Sequence, residues 1–205
     1  MDVQIVIPFR LSNPKSRLAG HLSEEERKNL AVCMLKDVLA AVCNYPVTVV
    51  MNEPYPELES EIKFAEFVVD SSPLNDAVNT LMKPGTAVVM SDLPLLTEEV
   101  VERFLKTEGD VVIAPGRRGG TNMLLARKHF RVSYHYGSFL KHLRIAESMG
   151  LKLAIFDSFY ASVDVDDYSD LLEVMLHCKG ETKKFLQKLG FKVIMEKEPY
   201  LTRDL

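Results

Sequence analysis

Short apolar runs of strand length alternate along this chain with longer segments of helical length, and that alternation leaves few folds open. The runs occupy residues 3–7, 47–51, 64–69, 86–90, 110–114 and 151–156. They are rich in Val and Ile with little polar alternation, the pattern of strands covered on both faces. Helices are expected between them, from residues 23 to 43, 97 to 106 and 139 to 149, then at 168–177 and 181–189, with a last strand at 191–195. Strand, helix, strand spacing of this kind predicts right-handed β-α-β units, an α/β fold and a mostly parallel sheet. No repeat or linker interrupts the chain, so residues 1–205 read as one domain.

In open α/β sheets, ligands bind at the carboxyl ends of the strands, where the connecting loops diverge. Four stretches fall at that edge with side chains suited to chemistry. The run Thr86-Ala87-Val88-Val89-Met90 enters Ser91-Asp92, and Pro94 then forbids continuation, which presents the Asp92 carboxylate at the end of a central strand. Pro8 ends the first strand and opens a loop with three cations, Arg10, Lys15 and Arg17. Lysine as a point charge and arginine as a forked donor suit a polyphosphate. The loop lacks the GxxxxGK[ST] pattern of a Walker P-loop. Residues 115–122 form a glycine-rich, dibasic stretch in which Thr121 and Asn122 are candidate donors to a carboxylate or phosphate. In Val163-Asp164-Val165-Asp166-Asp167 an extended backbone sends Asp164 and Asp166 to one side, where two carboxylates with a third from another loop suit Mg²⁺. The turn at residues 70–76 leads into a helix whose unpaired N–H groups face the same edge.

Each reading has a plainer rival. Asp92 and Asp166 or Asp167 are also placed to cap turns or helices, the basic loop to be merely solvated, and residues 115–122 to be a simple hairpin with solvent-facing Arg117 and Arg118. Three histidines, His129, His135 and His142, lack a compact metal-ligand spacing. A net charge of −4 and a pI near 5.8 argue against nucleic-acid or anionic-membrane binding. Three cysteines without a CxxC pair fit reduced thiols, and neither a signal peptide nor an apolar stretch of about 18 residues is present. A cytoplasmic enzyme or binding protein is the expectation.

Taken in order, the segments IPFRLSNPKSRL, SDLPLL, GGTNMLL, YGSFLKHL and SVDVDD resemble the 2-phospho-L-lactate guanylyltransferases of deazaflavin coenzyme biosynthesis, over nearly the whole chain. The resemblance implies a three-layer α/β/α sandwich of the nucleotide-diphospho-sugar transferase type (Rossmann-like) and a mixed sheet. It implies transfer of GMP from GTP to 2-phospho-L-lactate with Mg²⁺, whereas bacterial relatives use phosphoenolpyruvate. Residue by residue, it places Pro8, Lys15 and Arg17 at the nucleotide phosphates and Pro73, Leu74 and Asn75 at the guanine. Asp92, Asp164 and Asp166 match the metal-binding aspartates, with Lys15 and Asp92 catalytic. Thr121, Asn122, Gly137 and Ser138 match the segments that hold the acceptor. In relatives the glycine and serine are commonly separated by two residues, and here they adjoin, so a differently shaped acceptor pocket is expected. Transfer of another nucleotide, a non-enzymatic nucleotide-binding module and a homodimer remain open from sequence.

Overall fold

The computed structural model describes residues 3–12 and 14–203; the acidic second residue Asp2 and the loop residue Asn13 lie outside the described part. Nine strands are described: β1 (Gln4–Phe9), β2 (Val47–Met51), β3 (Ala65–Val69), β4 (Thr86–Val89), β5 (Val111–Pro115), β6 (Thr121–Ala126), β7 (Leu153–Ile155), β8 (Phe191–Ile194) and β9 (Tyr200–Arg203). The helices are α1 (Glu24–Val42), α2 (Pro56–Glu61), α3 (Leu74–Leu81), α4 (Glu98–Lys106), α5 (Ser138–Ser148), α6 (Phe159–Ser162), α7 (Tyr168–His177) and α8 (Glu181–Lys188). Seven strands form one sheet in the order β3-β2-β1-β4-β6-β5-β7, which puts β4 at its centre. Every pairing in it is parallel except the two that β6 makes, to β4 and to β5.

The lack of polar alternation in the strands has the cause expected of it. Along β1, Ile5 and Ile7 enter the larger core under α1, α4, α7 and α8, while Val6 faces the α3 side. Along β4, Ala87 and Val89 face the first layer of helices and Val88 faces α3 and α5. Helices thus cover both faces, giving three α/β/α layers.

Two sequence expectations need correction. Pro8 does not end β1, which pairs with β2 through Phe9. The register of β1 with β4 stops at Val6, so the missing N–H of Pro8 falls where no ladder bond to β4 is called for. Residues 121–126 form a full antiparallel strand, so the loop expected at 115–122 reduces to a hairpin over residues 116–120, with Thr121 and Asn122 in β6. A small sheet of β8 and β9, of which only β8 was expected, closes over α7 and α8. Arg203 fastens it to the start of α1 through the carbonyl of His21 (2.6 Å) and the carboxylate of Glu26.

Candidate active site

Lys15 sits at the floor of the candidate site in a backbone conformation rare for a side-chain-bearing residue, φ 52° and ψ 45°. The 3-10 turn that follows, Ser16–Leu18, returns a hydrogen bond from Leu18 N–H to the Lys15 carbonyl (2.9 Å) and buries Leu18. The side chain is thereby aimed back under the sheet edge, where its Nζ donates to Asp92 Oδ2 at 2.5 Å and to Asp166 Oδ1 at 3.3 Å. Burial alone would lower the Lys15 pKa, but the two carboxylates outweigh it and hold the ammonium above its ordinary value. Arg17 Nη1 reaches the other oxygen of Asp166 at 3.5 Å from a mostly exposed position.

The backbone brings the two acidic loops together. Val165 N–H donates to the Asp92 carbonyl (3.1 Å), so the strand-end turn and the 163–166 segment are tied at their main chains. Val163 and Val165 are fully buried and direct Asp164 and Asp166 outward between them, as alternation requires. Asp164 accepts from Asn122 Nδ2 at 3.3 Å. Burial, and then the nearby charges of Asp92 and Asp166, raise its pKa. Among the described residues these carboxylates do not close into a ready cation cage; two of them meet instead at the Lys15 ammonium.

Capping falls to neither Asp92 nor Asp166. Asp167 caps α7, its side chain accepting from Ser169 N–H at 3.0 Å. A fifth aspartate, unmarked by the sequence, organises the region. Asp170 is fully buried and its Oδ2 accepts the N–H groups of Asp166 (2.8 Å) and Asp167 (2.9 Å). It also binds Arg117 (2.6 Å) and Arg118 (2.9 Å). The arginine pair of the hairpin is therefore a clamp on α7 rather than a solvent-facing dipeptide.

Two connected hollows open over this floor. The larger, about 440 Å³, is lined by Pro8, Lys15, Arg17, Leu74, Ser91 and Asp92 among others. The smaller, about 220 Å³, has Thr121, Asn122, Ser138, Asp164 and Tyr134 in its wall. Leu74, Met90, Asp92 and Asp166 border both. Gly116 underlies the smaller one: a Cβ there would stand 2.5 Å from Asn122 Oδ1 and 3.1 Å from Asp164 Oδ1, so this glycine makes room for protein side chains.

Other expected residues sit further out. Gly137 is exposed and starts α5 with φ 66°, next to the buried Ser138. Pro73 occupies the cap of α3, and Asn75 spends its amide on the loop before α5, accepting from Tyr134 N–H (2.6 Å) and meeting His135 Nε2 (2.9 Å). Arg10 donates to the Ser72 carbonyl at 3.0 Å and braces the turn ahead of α3. His142 was passed over in sequence for want of a metal spacing, yet it is buried and bonded to Thr121 at 2.8 Å. The signal was its position four residues after Ser138, which places both on one face of α5.

Residues 3–205 match the family model described as Guanylyl transferase CofC like. The chain belongs to the CofC-like guanylyl transferase family. Within it, the chain is 55% identical over 210 residues to the 2-phospho-L-lactate guanylyltransferase of Archaeoglobus fulgidus, covering 98% of this chain and 97% of that one. It is 50% identical to the protein of the same name from Ferroglobus placidus, over 98% of this chain and 100% of that one. In fold the family member resembles a crystal structure from Desulfovibrio desulfuricans G20 assigned as a nucleotide-diphospho-sugar transferase, with TM-score 0.75, 16% identity and coverage of 92% and 95% of the two chains. A nucleotidyl transferase from Methanothermobacter is similar at TM-score 0.57 and 15% identity, covering 91% and 99%. These likenesses show the three-layer fold of nucleotide-diphospho-sugar transferases. Among the described residues, no helix is long and apolar enough to cross a membrane.

Proposed function

We propose that this protein transfers GMP from GTP to the phosphate of 2-phospho-L-lactate, giving lactyl-2-diphospho-5'-guanosine and pyrophosphate, as a cytoplasmic step of coenzyme biosynthesis. Its family and the names of its relatives support guanylyl transfer. The observation that carries the reading is the lysine-bridged pair Asp92 and Asp166 at the border of two hollows, one basic and the other lined by polar donors.

An acceptor phosphate oxygen forms a new bond to the α-phosphorus of GTP while the bond from that phosphorus to the pyrophosphate oxygen breaks. No protein atom has to enter a covalent bond, so the protein's share is position and charge. The larger hollow takes the triphosphate, with Lys15 and Arg17 donating to its oxygens and the start of α3, from Pro73 to Asn75, beside the base. Thr121, Ser138 and the Gly137 backbone hold the acceptor carboxylate, orienting its phosphate toward the border shared by the hollows, while Asn122, its amide protons on the Ala161 carbonyl and Asp164, shapes the wall beside it. Lys15 then offsets negative charge that builds on the phosphates as the bond order shifts.

The hard oxygen donors of Asp92, Asp164 and Asp166 fit a divalent cation, and the burial and the neighbouring negative charges that raise the Asp164 pKa are what such a cation offsets. These three would hold Mg²⁺, which when bound supplies charge neutralisation at the phosphates. The test is pyrophosphate release in Mg²⁺ buffer from GTP, ATP, CTP and UTP, each with 2-phospho-L-lactate and with phosphoenolpyruvate. Turnover greatest with GTP and 2-phospho-L-lactate is expected. Preference for another nucleotide, or no release with either acceptor, overturns the reading.

A further inference from the structure

His142 reaches the start of β6 from the second turn of α5 and is fully buried there, between the rings of Tyr134 and Phe130, at centroid distances of 5.2 and 6.0 Å. It makes two hydrogen bonds of 2.8 Å, one at each ring nitrogen. The partner of Nε2 is the backbone N–H of Ser133, which can only donate, so Nε2 must present its lone pair. A neutral ring with that lone pair carries its proton on Nδ1 and donates it to Thr121 Oγ1. Burial lowers the His142 pKa to about 4, which keeps the ring in this neutral form near pH 7.

The consequence falls on Thr121. Its oxygen accepts from His142, so its own proton points elsewhere, and among the described residues no acceptor takes it. Thr121 is itself buried apart from its place in the wall of the smaller hollow, alongside Asn122 and Ser138. We infer that His142 is a positioning residue, one that locks the Thr121 hydroxyl as a donor toward the smaller hollow and so favours a carboxylate there over a group bringing its own proton. This rests on the assignment of that hollow to the acceptor, and the tests below separate the two.

Side-chain overlay supplies the variants. Asparagine can place an N–H near Nδ1, keeping the donor to Thr121, whereas glutamine reaches only as far as Nε2 and keeps the Ser133 contact alone. Steady-state kinetics with GTP and 2-phospho-L-lactate should show His142→Gln raising the acceptor KM about tenfold, roughly the worth of one hydrogen bond, with the GTP KM unchanged. His142→Asn should stay within about threefold of the wild type, by keeping that bond. In a Thr121→Val background, which alone raises the acceptor KM, His142→Gln should add little, because the two act as one unit. A Thr121→Val protein with an unaltered acceptor KM overturns the assignment of the hollow and this inference with it. Thr121→Val effective but His142→Gln silent, additive, or equally harmful to both KM values overturns the positioning role alone. The ring ¹⁵N shifts of His142 in the wild-type protein give a check that needs no variant. The Nδ1–H tautomer at pH 7 is expected, and an Nε2–H tautomer or a cationic ring refutes the inference.

Discussion

Two buried aspartates and three half-buried ones are furnished in opposite ways in this molecule. Asp37, on α1, accepts from Glu181 N–H (2.6 Å), Thr182 N–H (2.9 Å) and the Thr182 hydroxyl (2.6 Å), anchoring the start of α8 from across the core. Asp170 is equally well supplied, by two backbone N–H groups and two arginines. Asp92 and Asp166 meet a shared lysine, and Asp164 has one long amide contact. A carboxylate whose lone pairs are filled by its own chain holds structure together. One left short of partners, in a recess, retains capacity for a ligand, and the repulsion it feels marks the cost.

The sharpest break of that contrast is Asp92→Asn. Pyrophosphate release should fall by at least about a hundredfold, as when a charge-stabilising group is removed from an active site. Its melting temperature should fall only slightly, because the asparagine oxygen still accepts from Lys15 and Asp166 keeps its charge beside that ammonium. Asp37→Ala should do the reverse. Leaving two amide donors of α8 unpaired in a buried site costs about 3 kcal/mol, which calorimetry should read as a fall of roughly 6–12 °C, with kcat per folded molecule kept.

Asp170→Asn lies between these extremes. It weakens the arginine clamp and one of the bonds that fix the Asp166 backbone, so a loss of about 2 kcal/mol in denaturant unfolding and about tenfold in turnover is expected together. A variant that lost stability but no activity would separate the clamp from the site.

The smallest effect concerns acidity. The folded protein raises the Asp164 pKa, so between the unfolded and the folded value the native state binds the extra proton. Its ionised form therefore costs stability above the folded pKa, and that cost fades as the pH falls through it. Asp164→Asn should raise the melting temperature slightly at pH 7, with the gain disappearing at low pH, while turnover is lost. An equal gain at both pH values would show that the raised pKa of Asp164 is not the cause.

The strands were legible because burial on both faces writes Val and Ile without interruption, and the helix expected from residue 23 starts there as α1, on a capping box of Ser23 and Glu26. The direction of β6 was not. Met123-Leu124-Leu125-Ala126 is apolar enough for any buried element, and nothing within six residues says whether it runs with its neighbours or against them. Pro8 misled for a related reason, since its cost depends on which neighbour lies beside it. Asp164 and Asp166 were legible through local alternation, which needs no knowledge of the fold. The arginine contacts of Asp170 and the α8 contacts of Asp37 come from residues 52 to 145 positions away, and no local pattern carries that information.

The reversed strand also divides the labour of the chain. Because β6 runs backwards, its first residues open at the same edge where β1 and β4 end, and the hairpin ahead of it reaches that edge. Residues lining the larger hollow come mostly from the first half of the sequence, and those at the far wall of the smaller one from the second. On the proposed assignment of the hollows, an insertion or exchange in the hairpin and the loop before α5 reshapes what is accepted without redrawing the cradle for the nucleotide. Selectivity and handling of the donor become separately inheritable traits of one sheet.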